Sequence, residues 1–288
     1  MNMTERTGTG VAALLGKTVL VTGAGRGLGH GVARGLAAHG AVVIAVARTK
    51  PELQELAATI HAAGGQIELM VADLASPDDI RDLAAALIAQ HGGVDALVNN
   101  AAVLRLRSFL DLPAAAFDET IAVNLLAPVR LTRALLPAML ERGRGAIINV
   151  SSNAGIRPFA DETDYCAAKY GLEGFSTSLA LELAPRNVSV NLVSPGYLIK
   201  PTSVTASEFA SWPAERRSTY RDPIDMADAF AFLAVQYPQE GGVTGQRFDA
   251  FFERSSVESK RQLEYFAQLE RQLLAASRRR LADDVEDQ

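Results

Sequence analysis

The architecture of this chain follows from one glycine-rich stretch, Thr22-Gly23-Ala24-Gly25-Arg26-Gly27-Leu28-Gly29. Before it, Lys17-Thr18-Val19-Leu20-Val21 predicts a short buried strand, and after it apolar residues recur at helical spacing. Glycines let a backbone approach a pyrophosphate, and a helix N-terminus offers free N–H groups and the positive end of the helix dipole. Alone, the glycines would fit an ordinary strand-to-helix turn. Their position between a strand and a helix predicts a nucleotide-phosphate site.

Composition limits the class of protein. The 288 residues suffice for one large α/β domain or two small ones, and 48% apolar with 21% charged residues is typical of soluble globular proteins. A formal net charge of -5 argues against nucleic acid as the main partner. Cys166 is the only cysteine and the four histidines are scattered, so we expect neither a disulfide framework nor a metal site. The apolar run at 11–15 is too short for a signal peptide or a membrane span, which predicts a cytoplasmic protein without a membrane partner.

The rest of the chain alternates strand-like and helical segments, as in a parallel sheet covered on both faces. Strands are predicted at 17–21, 41–47, 66–71, 94–98, 146–150, 188–193 and 246–249. Helices are predicted near 51–64, 77–91, 113–141, 164–183 and 224–235. The third of these should break near Asn124 and Pro128. We expect a loose leader at 1–16, a single domain at 17–252 and a helical extension with an acidic tail at 253–288.

The end of the second strand bears on the choice of cofactor. In dinucleotide-binding folds an acidic residue about 20 positions past the glycines binds the adenosine ribose, whereas an arginine accommodates a 2′-phosphate. Here no Asp or Glu precedes Glu52, and the strand ends in Ala47-Arg48-Thr49-Lys50. Arg48, together with Arg26 of the glycine turn, can bind a phosphate through parallel hydrogen bonds. The alternative is that both are solvent-exposed charges. We predict NADP(H).

Tyr165 and Lys169 stand four residues apart, which places them on one face of a helix. A phenol has a pKa of about 10, and a neighbouring ammonium should lower that pKa towards the working range of an acid–base catalyst. Ser152 follows a strand at the carboxyl edge of the sheet, where its hydroxyl can bind a substrate carbonyl oxygen. The alternatives are a chance pairing for Tyr165 and Lys169, a loop cap for Ser152 and a helix irregularity for Asn124.

At this point the chain resembles the short-chain dehydrogenase/reductase family, in its compact, NADP-preferring branch. The motifs occur in family order: TGAGRGLG at 22–29, AVARTK at 45–50, Asp73-Leu74, NNAA at 99–102, Asn124 in VNL, Ser152 in NVSS, YCAAK at 165–169 and Pro195-Gly196. The resemblance implies a Rossmann-like, doubly wound sheet of about seven parallel strands with helices on both faces. It also implies hydride transfer between NAD(P)(H) and a carbonyl/alcohol pair, and a homodimer or homotetramer.

The resemblance also implies roles for single residues. Tyr165 would be the general acid or base, Lys169 would bind the nicotinamide ribose, Ser152 would polarise the carbonyl, and Asn124 would hold a relay water. The implied cofactor-binding set is Gly23, Gly25, Arg26, Gly27, Leu28, Gly29, Arg48, Asp73, Leu74, Asn100, Ala101, Tyr165, Lys169, Pro195 and Gly196.

Two regions depart from the family pattern. The family often has a threonine shortly after Pro-Gly that contacts the nicotinamide, whereas this chain has Lys200 there, with Thr202 two positions later. Either Thr202 substitutes for that threonine or the contact is lost. The chain also continues past the expected end of the fold. The segment 196–222 would be a substrate lid, with Tyr197 and Trp212, together with Phe159, as pocket walls or as anchors to the protein or a neighbouring subunit. The amphipathic pattern at 257–281 would pack against a partner subunit or against its own domain.

We therefore expect an NADP(H)-dependent carbonyl reductase or alcohol dehydrogenase acting on a small molecule. Two alternatives remain open: an isomerase or dehydratase of the same fold that does not consume the cofactor, and a non-catalytic NADPH-binding subunit.

Overall fold

The computed structural model describes residues 14–195, 198–199 and 206–249. Most of the predicted leader, the predicted extension at 253–288, and Gly196, Tyr197, Lys200 and Thr202 lie outside these ranges. Leu14 is fully buried, and its N–H donates to the carbonyl of His39 at 3.1 Å. The packed domain therefore includes the end of the predicted leader.

A seven-stranded parallel sheet forms the centre of the molecule. Its strands are β1 Thr18–Thr22, β2 Val42–Ala47, β3 Gln66–Val71, β4 Ala96–Asn99, β5 Gly145–Val150, β6 Val188–Ser194 and β9 Arg247–Asp249. They lie in the order β3-β2-β1-β4-β5-β6-β9. Two short strands, β7 Leu198–Ile199 and β8 Tyr220–Arg221, pair with each other in a separate two-stranded sheet. The predicted doubly wound fold is confirmed.

Helices connect the strands. They are α1 Gly27–Ala38, α2 Lys50–Ala62, α3 Pro77–His91, α4 Ala114–Ile121, α5 Ala127–Glu141, α6 Thr163–Leu183, α7 Ala206–Ser211, α8 Ala214–Arg217 and α9 Ala227–Leu233. The predicted helix at 224–235 begins instead with a 3₁₀ turn, Pro223–Met226, so its α-helical part is shorter than predicted.

Successive side chains of β1 point to opposite faces of the sheet, and helices cover each face. Val19 and Val21 belong to an apolar cluster with residues of α1, α2 and α9, whereas Leu20 belongs to a second cluster with residues of α3, α5 and α6. All three β1 side chains are fully buried. This is the burial expected of a central parallel strand, because helices cover both of its faces.

The predicted break in the long helix is a π-helical turn, Ala122–Leu126, between α4 and α5. Such turns insert one extra residue into a helix and often occur at functional sites. The whole segment Ala114–Glu141 is long and apolar enough, by length and composition, to cross a membrane. Leu131 and Leu135 of α5 are buried in the second apolar cluster, which accounts for this composition by packing on the sheet.

Candidate active site

The strand order reverses between β1 and β4, because the chain runs outward through β2 and β3 and then returns to the other side of β1. Ligands of open α/β sheets bind at such a reversal, beyond the carboxyl ends of the strands. A cavity of about 690 Å³ lies there. The predicted site residues that line it are Gly23, Gly25, Arg26, Gly27, Leu28, Arg48, Asp73, Leu74, Asn100, Ala101, Ser152, Tyr165, Lys169 and Pro195.

The glycines of the turn occupy positions where a residue with a side chain would force the surrounding backbone to move. Gly23 and Gly27 adopt φ angles of 64° and 59°, in the region that L side chains rarely adopt. A Cβ on Gly29, which lies beneath the turn, would come within 2.3 Å of the Gly23 carbonyl oxygen. The Asn100 amide donates to the carbonyls of Thr22 at 2.8 Å and Gly23 at 3.3 Å. Asn100 therefore fixes the turn against β4.

The end of β2 carries the residues that bear on cofactor choice. Arg48 lines the cavity, and its side chain is 58% exposed. Its Nη1 lies 3.9 Å from Oε1 of Glu119, whereas Arg105 donates to the other oxygen of Glu119 at 2.8 Å. The carboxylate of Glu52 also lines the cavity and lies against Gly25. Sequence reasoning missed Glu52 as a site residue.

Helix α6 brings Tyr165 and Lys169 to the opposite end of the cavity. The start of this helix is tied to α4 by the buried Asp164, which accepts from the Thr120 hydroxyl at 2.7 Å and from the Tyr165 N–H at 2.9 Å. Lys169 Nζ lies 5.6 Å from the centroid of the Tyr165 ring and donates to the carbonyl of Val150 at 2.7 Å. The predicted pairing on one helical face is present.

Burial controls the acid–base properties of this pair. It raises the pKa of Tyr165 to about 12, and the nearby Ser152 hydroxyl opposes that rise. It lowers the pKa of Lys169 to about 8, and the Glu173 carboxylate opposes that fall. We predicted that Lys169 would lower the pKa of Tyr165. In this structure that prediction is wrong, because desolvation of the phenolate dominates.

The side chains of Ser152 and Asn124 each hydrogen-bond to the backbone of another residue. The Ser152 hydroxyl accepts from the N–H of Ala154 at 3.2 Å, so its own proton can be donated, to Tyr165 in this structure and to a substrate oxygen when one is bound. The Asn124 amide is bound to the backbone of Val103 at both ends, accepting at 2.7 Å and donating at 2.8 Å. Asn124 is fully buried in the π-helical turn and pins the loop that follows β4.

Two predicted substrate-pocket residues, Phe159 and Trp212, do not line the cavity. Phe159 is 37% exposed with Arg157 over its ring, and neither Phe159 nor Trp212 is among the residues that line the cavity. Trp212 instead packs with Phe209 and Tyr220, at centroid distances of 5.2 and 5.4 Å. Both partners belong to the same predicted lid segment, 196–222, so the wall and anchor roles of Trp212 stay predictions.

The sequence analysis did not identify two further residues near the site, Glu173 and Arg247. Glu173 follows Lys169 by one helical turn, a spacing that could have found it. Arg247 contacts Glu173 from β9, and no local signal links the two. Among the residues that the structure describes, no group of three or more His, Cys, Asp or Glu side chains could hold a metal ion.

Comparisons with known proteins agree with this geometry. Residues 17–211 match the family model described as short chain dehydrogenase. Nodulation protein G of Rhizobium meliloti (strain 1021) is 41% identical over 239 residues, covering 81% of this chain and 94% of that protein. The 3-oxoacyl-[acyl-carrier-protein] reductase FabG of Vibrio cholerae is 35% identical over 239 residues, covering 81% and 95%.

Among solved structures, a metagenomic short-chain oxidoreductase in complex with NADP superposes with a TM-score of 0.70. It is 38% identical, and the match covers 84% of this chain and 100% of that one. The matched region contains the glycine turn, Ser152, Tyr165 and Lys169 in one cavity. The chain therefore belongs to the short-chain dehydrogenase family of oxidoreductases.

Proposed function

We propose that this protein is an NADP(H)-dependent ketoreductase in which Tyr165 is the general acid for reduction of a carbonyl group. The observation that carries the proposal is that one cavity joins the glycine turn and Arg48 at one end to Ser152, Tyr165 and Lys169 at the other. A dinucleotide needs both ends, since its phosphates and its reactive ring lie far apart.

The residues present fit such a cofactor. The cradle around Gly23, Gly25 and Gly29 has no room for a Cβ and leaves the backbone open to a pyrophosphate. Arg48 is tied to Glu119 only across 3.9 Å, so it can turn towards a 2′-phosphate at little cost. Glu52 opposes this preference, because its carboxylate would repel a phosphate, whereas Arg26, which lines the same cavity, would attract one. When bound, NADPH supplies the hydride.

The protein's own groups handle the substrate oxygen and the proton. Ser152 accepts from Ala154 and can therefore donate its proton to a carbonyl oxygen, which polarises the carbonyl. With its pKa raised to about 12, Tyr165 carries its proton at neutral pH and is ready to donate it as the oxygen becomes an alkoxide. Lys169, with a pKa of about 8, is mostly an ammonium at neutral pH and stabilises the phenolate left behind.

Asn124 has a structural part in this scheme. Its side chain is committed to Val103, so we assign the relay water implied by the family to its main-chain carbonyl in the π-helical turn. The proton that restores Tyr165 would then come from this water by way of Lys169.

We propose a 3-oxoacyl thioester as the first substrate class to test, on the basis of the identity with the Vibrio cholerae reductase. The assay follows NADPH consumption by the purified full chain with a short 3-oxoacyl thioester. Tyr165→Phe should lose turnover by about 10²-fold or more while NADPH binding is kept. Tyr170→Phe is the matched control, because Tyr170 lies on the same helix with 45% exposure. Product without NADPH consumption would favour the isomerase, and NADPH binding without product would favour the non-catalytic subunit.

A further inference from the structure

Glu173 and Arg247 form a nearly buried ion pair beneath the carboxyl end of β5. Glu173 lies on α6, one turn after Lys169, and Arg247 is the first residue of β9. Arg247 Nε donates to Glu173 Oε1 at 3.0 Å, and the two side chains are 13% and 15% exposed. A desolvated pair of this kind adds little net stability, because the cost of removing both charges from water offsets their attraction. The pair is therefore more important for holding the groups that it contacts in place than for stability.

Both members of the pair hold the backbone that carries Ser152. The Ser151 hydroxyl donates to Glu173 Oε1, and Arg247 Nη2 donates to the carbonyl of Ser152 at 3.1 Å. A Cβ on Gly155 would lie 2.8 Å from Ser151 Oγ and 3.0 Å from Glu173 Cγ, so the turn after Ser152 closes directly onto the pair.

Ser152 needs this support because it lies past the end of its strand. The Ser151 N–H donates to the carbonyl of Val193 at 2.8 Å, and β5 itself ends at Val150. Ser152 lies one residue beyond that bond to β6, and its carbonyl accepts from the Gly155 N–H at 3.0 Å as well as from Arg247 Nη2. These two donors together fix the peptide plane from which its side chain projects, and of the two only Arg247 reaches it from outside the local turn. A displacement of about 1 Å in a reacting group can lower a rate by about 100-fold.

We propose that Glu173 and Arg247 are positioning residues that hold Ser152 in the orientation needed to donate to the substrate carbonyl. This inference rests on the proposed function, in which Ser152 polarises that carbonyl. Glu173 also favours the charged form of Lys169, so a change there has two effects. A change at Arg247 leaves the Glu173 carboxylate in place beside Lys169, so Arg247 is the position to change.

A double-mutant cycle tests the proposal with the full chain, NADPH and a 3-oxoacyl thioester. Arg247→Ala should lower kcat by about 10- to 100-fold in the wild-type background, with the Kd for NADPH changed by less than about twofold. In the Ser152→Ala background the same change should cost less than about twofold, because the group that it positions is already gone. Arg247→Lys keeps the positive charge but not the planar guanidinium with its several donors, so it should recover part of the lost kcat. Arg81→Ala, which breaks an exposed pair with Asp78 and Asp82, is the matched control and should keep full activity.

Two results would overturn the proposal: a kcat for Arg247→Ala within about twofold of the wild type, or an equal loss in both backgrounds, which is what a general structural role gives. If Arg247→Ala does not bind NADPH, Arg247→Lys replaces it in the same cycle, and loss of binding by both variants also refutes positioning. Full turnover by Ser152→Ala would instead refute the proposed function, so the two failures are distinguishable.

Discussion

Replacing Lys169 by Met should change how the stability of the nucleotide-free protein depends on pH. Lys169 is 2% exposed, and burial lowers its pKa from 10.5 to about 8. A fall of that size means that the folded state holds the ammonium at a cost of about 3 kcal/mol near neutral pH. Met has a similar length and carries no charge, so the variant escapes this cost but leaves the Val150 carbonyl without its donor.

The sign of the pH effect follows from the two pKa values. The folded pKa lies below the unfolded one, so between about 8 and 10.5 the unfolded chain holds more protons and wild-type stability rises with pH. From about pH 7 to about pH 9.5 this contribution amounts to about 2 kcal/mol. Other titrating groups are common to both proteins and cancel in the difference. The advantage of Lys169→Met over the wild type should therefore shrink by about 2 kcal/mol across this range.

Urea unfolding of both proteins at the two pH values measures this difference. Lys50→Met, at an exposed lysine at the start of α2, is the control for replacing a lysine by methionine outside the buried site. A Lys169→Met difference that stays constant, or that moves in the opposite direction, would show that the ammonium is not held at a cost and would refute the reasoning.

Three further changes probe the two ends of the cavity. Tyr165→Phe should lower kcat by about 10²- to 10⁴-fold, measured by NADPH consumption, and turnover near the wild-type value would exclude Tyr165 as the acid. Arg48→Ala should weaken NADPH binding by about 10- to 100-fold in calorimetry and leave NADH binding unchanged; an equal effect on both nucleotides would place Arg48 away from the 2′-phosphate. Gly29→Ala should abolish NADPH binding, because its Cβ would meet the Gly23 carbonyl, whereas Gly174→Ala, with nothing within 4 Å, should bind normally.

The fold could be predicted because its signals are local. Each strand is a short apolar run followed by a turn residue, and the predicted bounds differ from the observed ones by two residues or fewer for the seven strands of the sheet. The break at Asn124 was also predictable in position, although not as a π-helical turn. The helix after Pro223 was predicted too long, because proline at the first turn is equally compatible with a 3₁₀ start.

Apart from the positions that the family motifs mark, the site could be predicted from the residues only where its members are close in sequence. Tyr165 and Lys169 share one helical face, and that pairing is visible in their spacing. Arg247 and Ser152 are 95 positions apart and meet only because β9 lies near the end of β5. The direction in which the pKa of Tyr165 shifts could not be predicted from the spacing of residues, because it depends on burial by the surrounding elements.

Several expectations stay predictions. They are the homodimer or homotetramer, the cytoplasmic location, the role of the segment at 253–288, and the pocket roles of Phe159, Tyr197 and Trp212.

The most direct test of the central claim is to follow the hydride itself. The protein is supplied with a 3-oxoacyl thioester and with NADPH that carries deuterium at both C4 positions of the nicotinamide, and the product is analysed by mass spectrometry. We predict deuterium on the new carbinol carbon, in an amount equal to the NADPH consumed. Product without deuterium, or deuterated NADPH left unchanged beside a converted substrate, would contradict the assignment as a hydride-transferring reductase.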